Sequence, residues 1–435
     1  MSASNLCPYP SVARSSKSAV VSQLCNLKSA GVFAAGKFIS DSNTFRVIGT
    51  DATATTVQSF GLGEYIAGSS IAHLYDGWRY LGTALRAYCQ NDVGVCGHAA
   101  YYAELRGAMS FLAANGVVSF RRGLGYLDSQ ARGRLLSSDG GTHNVVWDAL
   151  KSLVNSSGVC ADKVVLSDII CPGGHSISDW MSEWNGNVAQ NQALYANFLL
   201  SCGTDIGKYE ADRNGRNKFS YSPTEFEGYL NNSFSVISGS IGRFWSFFSP
   251  ISGGEFYEFD FFLLRKLLHM QKKALGLTVF DFRRRIERAV AALARSEPER
   301  AYFFGNLYAR RNREPFLSSS NVMCNGDKAI HEGMLLRASC MLRIATAACR
   351  ELLVSAGVTS QDLGTWLINC QKHKFMWQAP VSNFKYAELW TDVEDSLESL
   401  DTYAPRGNET WLETEARSLE ILSRTEYIML WGLGL

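Results

Sequence analysis

The segment from His98 to Gly116 restricts the possible folds of this chain more than any other part of the sequence. It is rich in alanine and tyrosine, and its apolar residues recur with the period of one helical face. That face carries Tyr102, Leu105, Met109 and Leu112. Small alanine and glycine residues between them would let a neighbouring helix approach closely. The sequence therefore predicts a tightly packed helix that ends at Asn115-Gly116.

A second predicted helix precedes this one. Apolar residues between Ser69 and Gln90 also follow a helical period, and the short segment Asn91-Asp-Val-Gly94 separates the two helices. Because the connection is short and both apolar faces need to be covered, we predict that Ile71 to Tyr88 packs antiparallel to His98 to Ala114.

The rest of the chain is predicted to be mainly α, a multi-helix bundle with a small β-hairpin insertion and two helical domains. The insertion is expected at residues 116–137, where short apolar stretches alternate with glycines and arginines. Elsewhere the apolar period stays near 3.6 residues, and only nine prolines interrupt the chain. The predicted units are an N-terminal extension (1–60), a helical domain (61–235) and a C-terminal helical domain (250–435). A Ser/Gly-rich run from Asn231 to Gly254 suggests the boundary between the two domains.

Composition limits the functional classes. The 435 residues include 42 Lys and Arg and 41 Asp and Glu, so any nucleic-acid surface has to be a local feature. The eleven cysteines are odd in number and contain no Cys-x-x-Cys, and no signal peptide pattern is present, which favours a cytoplasmic protein. No apolar stretch is long and uninterrupted enough for a membrane helix, so no association with a membrane is expected.

Three features occur in an order that resembles the HEPN superfamily. They are the tyrosine-rich helix, a helix start at Gly141-Thr-His143, and the segment from Arg213 to Tyr221. Small HEPN proteins associated with nucleotidyltransferases carry a similar helix, a later Thr-His helix start, and an Arg-Asn followed by Tyr or His. The resemblance covers roughly residues 70 to 230 and implies a helical domain there.

The resemblance also implies a position for a functional site. HEPN nucleases cleave RNA with an Arg and a His that project from a helix start into one cleft, usually across a dimer. The corresponding positions here are Arg213, Arg216, Asn217 and Tyr221, so a tyrosine stands in place of the nuclease histidine. With an ordinary pKa near 10, tyrosine is a poor general base, although its hydroxyl can donate a hydrogen bond to phosphate. Alternatively, Arg213 and Arg216 pair with carboxylates such as Glu104.

A second candidate surface combines arginines with aromatic residues. Its arginines are Arg283, Arg284, Arg285, Arg288, Arg310, Arg311 and Arg313. Tyr302, Phe303, Phe304 and Tyr308 are interleaved with them. Arginine can bind phosphate through two hydrogen bonds and aromatic rings can stack on unpaired bases, so this composition favours RNA or DNA binding. The alternative is a solvated helix face with salt bridges to Glu287, Glu297 and Glu299.

Metal and cofactor sites are not expected. Cys171 and His175 have a spacing suited to metal ligands, but no second closely spaced pair completes a zinc site. The glycine pairs Gly61-Leu-Gly63 and Gly123-Leu-Gly125 lack the further residues of a nucleotide-binding loop.

Two functional hypotheses follow. The first is a HEPN-like helical protein that binds RNA, DNA or a protein partner encoded nearby, in bacterial defence against phages or in a toxin–antitoxin pair. The second is a metal-independent ribonuclease effector in which Arg213, Arg216 and Tyr221 form an altered site. The HEPN resemblance implies a homo- or hetero-oligomer in either case. Tyrosine in place of histidine favours the first hypothesis.

Overall fold

The computed structural model of the protein describes residues 9–33, 59–120, 123–137, 141–156, 162–185, 191, 194–199, 234–250, 256–308, 330–364, 386–403 and 416–434. Within these ranges the chain is mainly α-helical and contains one small antiparallel sheet. The predicted fold class, mainly α with a small β insertion, is therefore confirmed. No helix in these ranges combines the length and the apolar character that crossing a bilayer requires.

The helices are numbered here in chain order. They are α1 (Lys17–Ser29), α2 (Ser59–Cys89), α3 (Val93–Ala114), α4 (Thr142–Ser156), α5 (Leu166–Ile169), α6 (Ile177–Asn185), α7 (Phe234–Phe247), α8 (Tyr257–Ala274), α9 (Val279–Leu293), α10 (Glu297–Tyr308), α11 (Ile330–Ser355), α12 (Tyr386–Thr402), α13 (Ala416–Leu422) and α14 (Glu426–Leu433). Short 3-10 turns lie at Pro10–Arg14 and Pro172–Gly174.

The β insertion lies where the sequence predicts it, but it has three strands instead of two. Strands β1 (Val117–Phe120), β2 (Gly123–Leu127) and β3 (Gly133–Ser137) pair antiparallel in the order β1-β2-β3. The extra turn is stabilised by Asp128, which accepts hydrogen bonds from the backbone N–H groups of Gln130 and Arg132. This Asp-centred turn is the feature that a hairpin prediction leaves out.

Helices α2 and α3 form the antiparallel pair that the sequence predicts. Near one end, Ser110 of α3 donates a 2.6 Å hydrogen bond to the carbonyl oxygen of Ser70 in α2. Near the connecting turn, Tyr80 of α2 stacks on Tyr102 of α3. Helix α3 ends at Ala114, and Gly116, whose φ of +79° lies in the left-handed region that favours glycine, follows its C-cap Asn115.

Helix α11 packs along this pair at the small residues of its surface. A Cβ atom on Gly77 of α2 would lie 2.5 Å from Leu342 Cδ2, and one on Gly107 of α3 would lie 3.1 Å from Met341 Cγ. Trp78 adds a buried 3.0 Å hydrogen bond from its ring N–H to the Thr346 hydroxyl. The small residues of the sequence therefore serve the close helix approach expected of them, and the approaching helix is α11.

A buried ion pair joins α11 to α8. Arg343 donates two parallel hydrogen bonds of 2.8 Å to the carboxylate of Asp260. The side chains are 3% and 0% exposed, and the guanidinium also lies 5.3 Å from the ring centroid of Phe256. Removing either partner would leave an uncompensated charge in the core.

The C-terminal helix α14 packs against α2 and α11. Its residues from Glu426 to Leu433 are buried, and the Thr425 hydroxyl donates to the carbonyl oxygen of Trp78 in α2. The Ser/Gly-rich run that suggested a domain boundary contains helix α7, which buries Phe244 and Trp245. The division into two helical domains stays a prediction.

Other differences concern helix boundaries. Helix α2 begins at Ser59, ten residues before the predicted Ser69, so the Gly61-Leu-Gly63 pair lies in a helix. A Cβ on Gly63 would come 2.9 Å from the Gln23 side chain of α1, so glycine there allows α1 to pack closely. Tertiary contact of this kind outweighs the low intrinsic helix propensity of glycine.

Candidate functional site

Helix α3 is almost completely buried, which makes its few solvent-accessible residues conspicuous. Among its 22 residues, the side chains that keep contact with solvent are Val95, His98, Tyr102 and Arg106. They are spaced by three and four residues and therefore form one line along the helix. We call this line the α3 stripe. It combines a histidine, a tyrosine and an arginine on a helix that otherwise belongs to the core.

Aromatic rings from two helices meet on the α3 stripe. Tyr102 and Tyr80 of α2 stack with ring centroids 5.4 Å apart and planes inclined by 26°. The imidazole of His98 lies 4.9 Å from the Tyr102 ring, one turn earlier on α3. All three side chains are only partly buried. The stripe therefore presents a pair of rings beside an imidazole to solvent.

A second histidine reaches the same tyrosine from helix α4. His143, the second residue of α4, has its ring 5.9 Å from that of Tyr102. Its Nδ1 lies 3.1 Å from the hydroxyl oxygen of Tyr101, a buried residue of α3 that fixes the position of the imidazole. The tyrosine-rich helix and the Thr-His helix start are thus neighbours in the structure. Gly141 precedes α4 and Thr142 is its first residue.

Arg106 is held in place at the other end of the α3 stripe. Its guanidinium donates a 2.8 Å hydrogen bond to Nδ1 of His73 in α2 and lies 3.6 Å from the carboxylate of Asp76. Burial, reinforced by the positive charge of Arg106, lowers the pKa of His73 to about 3. The neutral His73 ring accepts from Arg106 and orients it. The Arg106 side chain remains 29% exposed.

This arrangement can bind a nucleotide in an unpaired strand. The Tyr80–Tyr102 pair offers ring faces for base stacking, and Arg106 offers a positioned cation for phosphate. The imidazoles of His98 and His143 can donate hydrogen bonds to phosphate, and protonation near neutral pH would add charge. Both also have the chemical capacity to move protons.

The site residues that the HEPN resemblance implies lie outside the described residues. They are Arg213, Arg216, Asn217 and Tyr221. Glu104, the carboxylate suggested as their alternative partner, is buried on α3, with Oε1 3.8 Å from Nε of Arg337 in α11. The implied HEPN site remains a prediction.

Two of the predicted nucleic-acid-binding arginines contact helix α6. The guanidinium of Arg288 donates to the carbonyl oxygens of Glu183 (3.1 Å) and Trp184 (2.8 Å) in the last turn of α6. Arg285 donates a 3.1 Å hydrogen bond to the side-chain oxygen of Asn185 and lies 5.9 Å from the Trp184 ring centroid. Both arginines therefore satisfy groups at a helix C-terminus, where cations are favourable.

The other arginines of this segment have different surroundings. Arg283 is paired with Glu287 one turn later at 2.8 Å, as the alternative interpretation expects, and also lies 5.7 Å from the Phe304 and Tyr308 rings. Arg284 is exposed and has no ion pair or hydrogen bond within the described residues. Arg310, Arg311 and Arg313 lie outside the described residues. On α9, Arg284 is thus the arginine whose N–H groups are all available to a ligand.

Within the described ranges, no group of three or more His, Cys, Asp and Glu side chains has a geometry that could hold a metal ion. His175, one half of the spaced pair, packs against the Trp180 and Phe303 rings.

Sequence reasoning missed Tyr80, Arg106, His73 and Asp76 as site residues. One signal was present: His98, Tyr102 and Arg106 are each four residues apart, so they share a helix face. The same periodicity assigned Tyr102 to the apolar face, because sequence spacing alone does not identify the neighbour that covers a face.

Comparison of the chain with protein-family models, curated proteins and solved structures gave no match.

Proposed function

We propose that this chain binds unpaired RNA through the α3 stripe together with Tyr80 and His143. The observation that carries the proposal is the half-exposed, stacked Tyr80–Tyr102 pair, flanked by two imidazoles and followed along α3 by a positioned arginine. These side chains keep contact with solvent on a helix that is otherwise buried, and ligand binding would give that open line a role.

The chemistry supports RNA in single-stranded or looped form over a duplex. In a duplex the bases are stacked on each other, whereas in loops and single strands they are available to stack on aromatic side chains. A helix surface with two adjacent tyrosine rings matches that requirement. The near-balanced overall charge fits a short, local contact with a few phosphates.

A role in bacterial defence, in a toxin–antitoxin pair or in a larger complex is supported by the HEPN resemblance of the sequence. In that setting the chain would recognise RNA or a protein partner and act as part of a homo- or hetero-oligomer. The segment with Arg213, Arg216, Asn217 and Tyr221 belongs to the proposed interface on the same basis.

Metal-independent RNA cleavage is the second candidate. The observation that favours it is the approach of His98 and His143 to one tyrosine ring, which puts two potential proton-transfer groups on one surface. In this alternative, Arg213, Arg216 or Arg106 would stabilise phosphate charge, and Tyr221 would donate a hydrogen bond to it.

Binding of a labelled single-stranded RNA to the full chain tests the first proposal. We expect Tyr102→Ala to weaken binding by roughly 5- to 150-fold, because loss of one stacked base costs about 1–3 kcal/mol. Tyr308→Ala is the comparison for the competing arginine and aromatic surface, since Tyr308 also stacks on a neighbouring ring and is exposed but lies on α10, and its affinity should stay near that of wild type. Equal affinities of wild type and Tyr102→Ala would refute the proposal.

A cleavage assay in the presence of a chelator separates the two candidates. If the chain only binds, the RNA stays intact with wild-type protein. If it cleaves, we expect His98→Ala, His143→Ala and Tyr221→Phe to show which groups take part. Cleavage that is lost in Tyr221→Phe and kept in His98→Ala would place the chemistry in the Arg213–Tyr221 segment.

A further inference from the structure

A cleft with a composition unlike the α3 stripe lies among helices α7, α8, α10 and α12. Its volume is about 500 Å³, within the range of small-molecule sites. Its lining consists of three aromatic residues, two carboxylates, two serines and a leucine: Tyr257, Tyr302, Trp390, Glu258, Glu394, Ser246, Ser249 and Leu397. We call this site the aromatic cleft.

The aromatic walls of the cleft are held by packing. Trp390 meets the ring of Trp431 edge-on at 5.6 Å and lies 6.4 Å from that of Trp245, so the C-terminal helix and α7 support it. Tyr257 and Tyr302 stand with ring centroids 6.4 Å apart. Ring faces fixed in this way attract cations through the negative charge of the π system.

The carboxylates come from two different helices. Glu258 of α8 accepts a 3.0 Å hydrogen bond from the Tyr302 hydroxyl, which fixes its orientation. Glu394 follows Trp390 by one turn on α12, is exposed, and has no ion pair within the described residues. Among the described residues that line the cleft there is no Lys or Arg. This part of the lining therefore carries two negative groups and no positive side chain.

The charge of α12 has the same sign. Between Tyr386 and Thr402 the sequence contains six acidic residues and no Lys or Arg, in a chain whose overall formal charge is +1. The surrounding potential therefore favours entry of cations and disfavours RNA, whose phosphates would be repelled.

We propose that the aromatic cleft binds an aliphatic diamine or polyamine. Each of two ammonium groups pairs with one carboxylate, Glu258 or Glu394, while the methylene chain between them packs across the Tyr302 and Trp390 rings. The cleft has an apolar surface between two carboxylates, and a diamine has an apolar methylene chain between two ammonium groups, so the two are complementary.

Calorimetric titration of the full chain with spermidine tests this assignment. We expect saturable binding by wild type and none of a neutral diol of comparable chain length, because the diol keeps an apolar chain and loses all three ammonium charges of spermidine. Glu394→Gln should weaken binding by about 10-fold or more, since hydrogen bonds between charged groups are the strong ones. Tyr302→Phe keeps the ring and releases Glu258, and should weaken binding by a smaller factor.

Glu398→Gln is the matched control. It removes the same charge from the same helix, but Glu398 does not line the cleft, so binding should change by less than about threefold. Lack of saturable spermidine binding by the wild type would overturn the proposal, as would equal affinities of wild type and Glu394→Gln. Binding of an arginine-rich peptide in place of spermidine would assign the cleft to a protein partner and would also refute it.

Discussion

The α3 stripe and helix α9 differ in how many of their polar side chains are available to a ligand, and the difference is the opposite of what their sequences suggest. Helix α9 is rich in arginine, and three of its four consecutive or near-consecutive arginines are already engaged: Arg283 with Glu287, and Arg285 and Arg288 with helix α6. The α3 stripe contains one arginine, yet its guanidinium, like the imidazole of His98 and the ring of Tyr102, remains partly open to solvent.

The number of cationic residues is therefore a poor measure of the charge available to a ligand. An arginine that already donates to carbonyl oxygens at a helix terminus must give up those bonds before it can bind phosphate. An arginine held by a neutral histidine and a carboxylate, as Arg106 is, has a fixed orientation and donors left over. Four measurements test this contrast between engaged and available side chains.

The largest effect is expected for the arginine that is most completely engaged. Replacing Arg343 by methionine leaves Asp260 buried without its partner, and we expect the free energy of unfolding to fall by about 3–5 kcal/mol. Denaturant unfolding of the full chain measures the change. The double variant Arg343→Met with Asp260→Leu removes both charges and should recover part of the loss. A loss below about 1 kcal/mol in the single variant would contradict the role given to this pair.

The second effect concerns the group that orients Arg106. Folded His73 has a pKa of about 3, whereas an unfolded histidine takes up a proton near pH 6.5. The unfolded state therefore binds more protons below that pH, so stability is highest above about pH 6.5 and declines as the pH falls. The contribution of this residue lost by pH 5 is about 2 kcal/mol. Denaturation profiles of wild type and His73→Gln measured across this pH range should converge at low pH, and parallel profiles would argue against the buried neutral ring.

A smaller effect is expected at the end of helix α6. Arg288→Ala removes two hydrogen bonds to carbonyl oxygens of the last turn, and we expect stability to fall by about 1–2 kcal/mol. RNA affinity of the folded variant should stay near that of wild type. A large loss of affinity with unchanged stability would show that Arg288 is available to ligands, and the contrast drawn above would fail.

The smallest effect is expected for Arg284. This exposed side chain has no bond within the described residues to lose, so Arg284→Gln should change stability by less than about 0.5 kcal/mol. Its effect on RNA affinity compared with that of Arg106→Gln then locates the interface. Weaker binding in Arg284→Gln alone would indicate that α9, and not the α3 stripe, contacts RNA.

The sequence predicted those parts of the fold that depend on local patterns. The antiparallel α2 and α3 pair, the end of α3 just before Asn115-Gly116 and the position of the sheet all follow from periodicity, turn residues and short connections. The structure confirms each of them. The Asp128 turn was missed because its effect depends on backbone donors that several residues share.

The candidate site was predicted much less completely. His98, Tyr102 and His143 were all noticed in the sequence, but their meeting depends on how α4 packs on α3. The acceptors of Arg285 and Arg288 could not be predicted for a similar reason, because they lie in α6, about one hundred residues earlier. Periodicity identifies the faces of a helix, and long-range packing decides which face remains open.

The burial of α3 also has a consequence for its tolerance of sequence change. Bulkier or charged side chains at its core positions would displace α2, α11 or α4, whereas Val95, His98, Tyr102 and Arg106 keep contact with solvent, so replacing them disturbs the core less. In a library of single substitutions sorted for folding, variation within α3 should therefore concentrate at these four positions. Sorting the same library for RNA binding would then show whether the α3 stripe contacts the ligand. If it does, few substitutions should be tolerated at His98, Tyr102 and Arg106, whereas Val95 should still tolerate many.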